Sequence, residues 1–294
     1  MVTFGIYGYE CTKPITFSYI KIIPLYTTFK EANTLAKDEH TYFLTAFLEI
    51  DNAKISTSEI KHQIHTLEAV LSFIEHRDVI ISNQLRSHEQ HKNLDDDYPR
   101  KIETHIRKNG GGCVIINDAF CPSSRELFIQ KSMALLLTER STVNDVFRKA
   151  FFKTIEVFRA RESFVDISYY LLFSALESLC RAIEDDYTSK CVATPISRVL
   201  TKYGFDFKQE NPKDFKKSVM TYVHLRNELF HNGSLRAETK SGDIFEMKDY
   251  YVFLHRLMPL VLIKYIGFDD GRINWNSWLD RMHFKSPVNQ AKLT

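Results

Sequence analysis

The sequence predicts an α+β protein, with a mixed strand-and-helix domain over residues 1–122 and an all-helical domain over residues 123–294. Two observations carry this. Ahead of Pro122, β-branched and aromatic residues gather in short runs bounded by polar or glycine-containing stretches. Beyond it, apolar residues recur every three or four positions through long segments, with almost no strand signal. The change of character falls between residues 122 and 140, and neither an internal repeat nor a low-complexity segment interrupts it.

Taken in order, Val2–Tyr7, Ile15–Leu25 and Tyr42–Ile50 read as strands. Thr57 and Ser58 open a helix over Glu59–His76, where Ile60, Ile64, Leu67, Val70, Leu71 and Ile74 share a face. Val79–Ser82 and Val114–Ile116 read as two further short strands. The stretch Arg86–Lys108 between them is strongly polar, and Asn109-Gly110-Gly111-Gly112 reads as a turn or loop. Helices are then predicted over Ser124–Leu137, Val143–Ala160, Phe164–Glu184, Phe215–His231 and Glu246–Ile266, with loops at Gln209–Lys213 and Asn232–Gly242. Pro122, Pro195 and Pro212 fall at helix starts or in loops, where a missing N–H is tolerated.

Composition narrows the function classes. The chain of 294 residues is 44% hydrophobic and 26% charged, which is ordinary for a soluble globular protein with a sizeable core. Its 39 basic and 37 acidic side chains leave a net charge of +2. A protein that coats DNA is thereby disfavoured, and any polyanion must be held at a local site. Five widely spaced cysteines (Cys11, Cys113, Cys121, Cys180, Cys191) form no CxxC pair, so reduced thiols in a cytoplasmic protein are expected. The N-terminus lacks the basic start and apolar core of a signal peptide. Leu257–Phe268 is short and carries Lys264, so no membrane association is expected.

Chemistry concentrates in Leu225-Arg226-Asn227-Glu228-Leu229-Phe230-His231-Asn232-Gly233. Phe215, Val219, Tyr222, Leu229 and Phe230 mark a core-facing stripe, and Arg226 stands on it. An isolated buried guanidinium costs several kcal/mol, so Arg226 needs a partner or an open cleft. Asn227 and His231, four apart, share one helical face. On the earlier helix, Tyr169, Leu172, Leu176, Leu179 and Ile183 form an apolar stripe bordered by Glu177. That carboxylate is the natural counter-charge, and a helix-to-helix ion pair between Glu177 and Arg226 is predicted.

Arg226-Asn227-x-x-x-His231 resembles the signature of HEPN domains, an arginine and a histidine separated by four to six residues with a polar residue directly after the arginine. The preceding helix with Ala175-Leu176-Glu177-Ser178-Leu179 and the close at His231-Asn232-Gly233 fit the same layout, most like the Apea-like branch of bacterial defence proteins. The resemblance covers roughly residues 150–266 and implies a metal-independent endoribonuclease without cofactor, homodimeric, in a toxin-like or antiviral-defence role. The 2′-OH of RNA would attack the adjacent phosphorus, leaving a 2′,3′-cyclic phosphate; DNA lacks that group. His231 would serve as general base or acid, Arg226 would stabilise phosphoryl charge, and Asn227 would orient the phosphate or the imidazole. Residues 1–122 would sense a trigger, receive an inhibitor or restrain the nuclease. A different class stays open, a non-catalytic dimerisation or RNA-binding module in which Arg226 and His231 only brace the fold.

Other clusters read as structure. His62/His65, His88/His91 and His105 lack a matching set of metal ligands, and Asp95-Asp96-Asp97 reads as a solvated acidic loop. The Asn109–Gly112 run lacks the lysine of a phosphate-binding loop, and Cys180 and Cys191 lack a paired histidine motif. Trp275 and Trp278 are expected to dock the tail rather than stack bases.

Overall fold

A computed structural model describes residues 1–285 apart from 54, 87, 105–111, 139–140, 163 and 240–241. His105 and positions 109–111 of the glycine run therefore lie outside the described residues. The chain divides into two compact units, Met1–Glu139 with Phe158–Glu162, and Arg140–Val157 with Ser163–Thr294. The first is rich in strands and the second is helical, the α+β order read from sequence. The predicted helix Ser124–Leu137, counted above with residues 123–294, groups with the strands.

Unit one runs β1 (Val2–Tyr7), β2 (Ile15–Phe17), β3 (Ile20–Pro24), α1 (Phe29–Ala36), β4 (Thr41–Ile50), α2 (Thr57–Glu75), β5 (Ile80–Gln84), β6 (Lys101–Glu103) and α3 (Ser124–Leu137). The sheet is antiparallel in the order β2-β3-β4-β1-β5, with β6 paired to the start of β4. Ile15–Leu25, expected as one strand, is a hairpin, because Ser18 turns the chain at φ 50°. Gly5 is required by crowding: a Cβ there would sit 2.7 Å from the Tyr98 hydroxyl. Val114–Ile116, expected as a strand, is irregular, with Ile115 buried and the Val114 N–H donating to the Ile74 carbonyl. The helix α1 and strand β6 were not predicted; both are too short for their periodicity to stand out.

A capping box between Ser56 and Glu59 starts α2, and His76 in the left-handed region ends it. Its buried side chains include Leu67, Val70, Leu71 and Ile74, and Phe73 stacks on Phe128 of α3 at 5.5 Å. A buried charge cluster ties this unit together. Arg125 Nη1 donates to Glu75 Oε1 at 2.9 Å and to the Glu10 carbonyl, and Nη2 donates to Glu10 Oε1 at 3.2 Å. Asn117 Nδ2 donates to Glu10 Oε1 at 2.8 Å, and Lys37 Nζ lies 3.8 Å from Glu10 Oε2. Two cations thus offset two carboxylates, the condition under which buried charge is tolerated.

Unit two contains all but the last two residues of α4 (Thr142–Arg159), and α5 (Val165–Glu184), α6 (Ala193–Lys202), α7 (Val219–Asn232), β7 (Arg236–Glu238), β8 (Ile244–Glu246), α8 (Met247–Ile266) and α9 (Ser277–Asp280). Its longest helices are α5 and α8, and α5 packs against α6, α7 and α8. The helix predicted from Phe215 is broken: Phe215–Lys217 makes one 3-10 turn, Ser218 is extended, and α7 begins at Val219. The β7–β8 hairpin follows α7, with its first strand inside the expected loop Asn232–Gly242. Trp278 is fully buried, stacked on Phe207 at 4.6 Å, while Trp275 lies 3.8 Å from Lys264 Nζ. Among the described residues, no helix is long and apolar enough to cross a membrane. All five cysteines are free thiols.

Candidate functional site

The site forms where the middle of α5 meets the second half of α7. Val219, Thr221, Tyr222, Val223 and Leu225 are the buried residues of α7, all in its first two turns. The last turn lacks that cover on its Phe230 side. Phe230, expected on the core stripe, is instead 57% exposed, and its ring lies 5.1 Å from that of Tyr170. Gly233 ends the helix at φ 63°, with its own N–H and that of Ser234 closing onto the Leu229 and Glu228 carbonyls. His231 therefore sits in a defined final turn.

Arg226 occupies the border between the covered and open parts of α7, with its side chain 27% exposed. Nη2 donates to Glu177 Oε2 at 3.0 Å, which is the ion pair between helices predicted from sequence. Nη1 donates to Asn227 Oδ1 at 2.9 Å. The guanidinium carbon lies 5.8 Å from the centre of the buried Phe173 ring and 5.5 Å from that of the exposed Phe230. Two aromatic faces and one carboxylate thus fix the head of a long side chain.

Glu177 is shared. Its Oε1 accepts from Arg181 Nε at 3.1 Å, and Arg181 Nη1 continues to the carbonyls of Asp186 and Ser189. Arg181 went unnoticed in the sequence although it stands four residues after Glu177, the spacing of a helical ion pair. With both oxygens engaged by arginines, Glu177 is a positioning group for Arg226.

A guanidinium carries five N–H donors, and two on Arg226 are engaged with described residues. Because a cation requires the carbonyl of Asn227, the amide nitrogen of that side chain is turned away from Arg226 and donates to no described residue. His231 is exposed, lies on the face of Asn227, and makes no hydrogen bond or ion pair among the described residues. The structure therefore joins Glu177, Arg226 and Asn227 by hydrogen bonds and leaves the imidazole beside them at the open helix end. Donors for an anion and a titratable ring stand four to five residues apart, just over one helical turn.

His224 is a further side chain of this face, one that helical spacing alone could have found. Met220, His224, Asn227 and His231 follow at intervals of four, three and four, so a second imidazole lies on the same face of α7. It lines a cavity of about 570 Å³ together with Ser218, Thr221, Phe215 and Phe245.

The remaining candidates are engaged elsewhere. Glu89, Asp95 and Asp97 place oxygens within 4.8 Å of one another, but Asp97 holds Arg86 at 2.8 Å and Asp95 contacts His88 at 3.1 Å. His91 faces Glu49 at 3.4 Å. Cys180 is fully buried, and burial pushes its thiol well above the usual range, which removes it as a nucleophile. Comparison with known protein families, curated proteins and solved structures returns no match.

Proposed function

We propose that unit two is a HEPN-type, metal-independent endoribonuclease acting in the cytoplasm in a toxin-like or antiviral-defence role. One observation carries the reading: a guanidinium anchored by Glu177 yet open to solvent, with donors left over, beside a free amide and an exposed imidazole. A brace alone would not need that exposure. Both oxygens of Glu177 are committed to arginines, which favours chemistry driven by fixed cations and a proton carrier.

In this reading the phosphodiester docks on Arg226 and the amide nitrogen of Asn227. A base takes the 2′-OH proton, the O2′–P bond forms, the P–O5′ bond breaks, and an acid protonates the departing 5′ oxygen. His231 fills one of these roles and His231 of a second copy fills the other, so the enzyme is a homodimer. The exposed Phe164, Ile167, Tyr170 and Phe230 give unit two an apolar surface suited to such pairing. Unit one, by its separate compact fold, is assigned trigger sensing, inhibitor binding or restraint.

The test is incubation of the full chain with RNA in excess EDTA, alongside Arg226→Ala and His231→Ala variants whose circular dichroism matches wild type. Cleavage giving cyclic phosphate ends, lost in both variants, is expected. Wild-type inactivity across RNAs and triggers would favour a non-catalytic module instead.

A further inference from the structure

We infer that the cavity beside the first two turns of α7 is a nucleobase subsite, which selects the base next to the scissile phosphate; the second half of this statement rests on the ribonuclease reading above. Four observations converge on it. The cavity holds about 570 Å³, within the range of about 300–1,000 Å³ usual for small-molecule sites. Part of its lining is aromatic: the rings of Phe215 and Phe245, 5.0 Å apart, line it and give a base a face to stack on. The lining is also polar. Thr221 is buried in α7, and its hydroxyl, like the His224 imidazole, makes no hydrogen bond with any described residue. Asn211 accepts backbone N–H bonds from Lys213 and Asp214 through Oδ1, which leaves its amide nitrogen as a donor at the rim.

The fourth observation is registration. His224 precedes Asn227 by three residues on the same helical face, so the cavity wall and the phosphate donors are separated by about 4.5 Å along the axis of α7 at 1.5 Å per residue. A nucleotide whose phosphate rests on Arg226 and Asn227 can therefore place its base against His224. Aromatic stacking combined with hydrogen bonds to the base edge is how single-stranded RNA bases are read. Nothing in the aromatic wall demands an aliphatic ligand, and the polar edge would be wasted on one.

The experiment titrates the full chain with AMP, GMP, CMP and UMP separately, by calorimetry or NMR, and repeats this with His224→Ala and with the isosteric Thr221→Val. One nucleotide is expected to bind at least about tenfold more tightly than the weakest, and each variant to reduce that preference about tenfold, as losing a base contact does. Binding of none of the four, or binding unaffected by both variants, overturns the subsite. Sequencing of RNA cut sites separates the two proposals. If a base is enriched at the cut and His224→Ala leaves that enrichment intact, the subsite fails while the nuclease stands. If nucleotides bind through His224 but no RNA is cut, the nuclease reading fails and the cavity remains a nucleotide site.

Discussion

Two arginines, one in each unit, are held by glutamates at almost the same distance, and they are different kinds of residue. Arg125 is 1% exposed, as are the side chains of Glu10 and Glu75, and its donors end on carboxylates or on the carbonyls of Glu10 and Ile115. Burial works against its charge, but Glu75, Tyr9, Cys113 and Glu10 outweigh that and hold the guanidinium well above its ordinary value. Arg226 is 27% exposed, shares its carboxylate with Arg181 and keeps donors uncommitted among the described residues. An arginine–glutamate pair is therefore no functional signal by itself. What distinguishes the second is the combination of anchorage, exposure and uncommitted donors.

The strongest way to break this contrast is Arg125→Ala. Removing one partner leaves buried carboxylates uncompensated, so a loss of about 3–5 kcal/mol in denaturant unfolding is expected, or failure to refold. An unchanged midpoint would mean that water reaches the cluster. Arg226→Ala should behave oppositely: RNA cleavage falls about 10²- to 10³-fold, as when one charge-stabilising donor is deleted, while stability drops by about 1 kcal/mol or less. Destabilisation comparable with that of Arg125→Ala would erase the distinction.

Glu177→Gln sharpens it further. The volume stays and the charge goes, so Arg226 loses a charge-assisted bond and kcat/KM should fall roughly 10- to 100-fold. In a cycle with Arg226→Ala the two effects should be strongly non-additive, because Glu177 acts through Arg226; additive losses would give Glu177 an independent role.

The effect smallest at neutral pH is electrostatic and lies beside Arg125. Burial pushes the Cys11 thiol up to about 12, only partly opposed by Arg125. Unfolding above the ordinary thiol value of 9.0 then releases a proton, so this group's contribution to stability falls as pH rises from about 9 towards about 12. The slope should approach about 1.4 kcal/mol per pH unit. Cys11→Ala should flatten that alkaline limb; an unaltered slope would place the titration elsewhere.

Much of the helical unit was readable locally. The apolar spacing through α5 and α8 located both helices, and the misplaced polarity of Glu177 beside the α5 stripe and of Arg226 on the α7 stripe announced their pairing. The break at Ser218 was not visible, because Phe215 and Val219 keep helical spacing across it. Nor was the exposure of Phe230, since periodicity reports which face a residue occupies and not whether anything covers it.

The sequence by itself determined the strand-rich and helical halves, the main helices, and the residue types gathered at Arg226, because those depend on spacings of three and four along one chain. Only the tertiary structure decided which arginine is sealed and which is open. Glu10 and Arg125 stand 115 positions apart, and the pair between Glu177 and Arg226 spans 49. Whether a charge meets solvent is settled by what packs over it, a property of distant segments that no local pattern encodes.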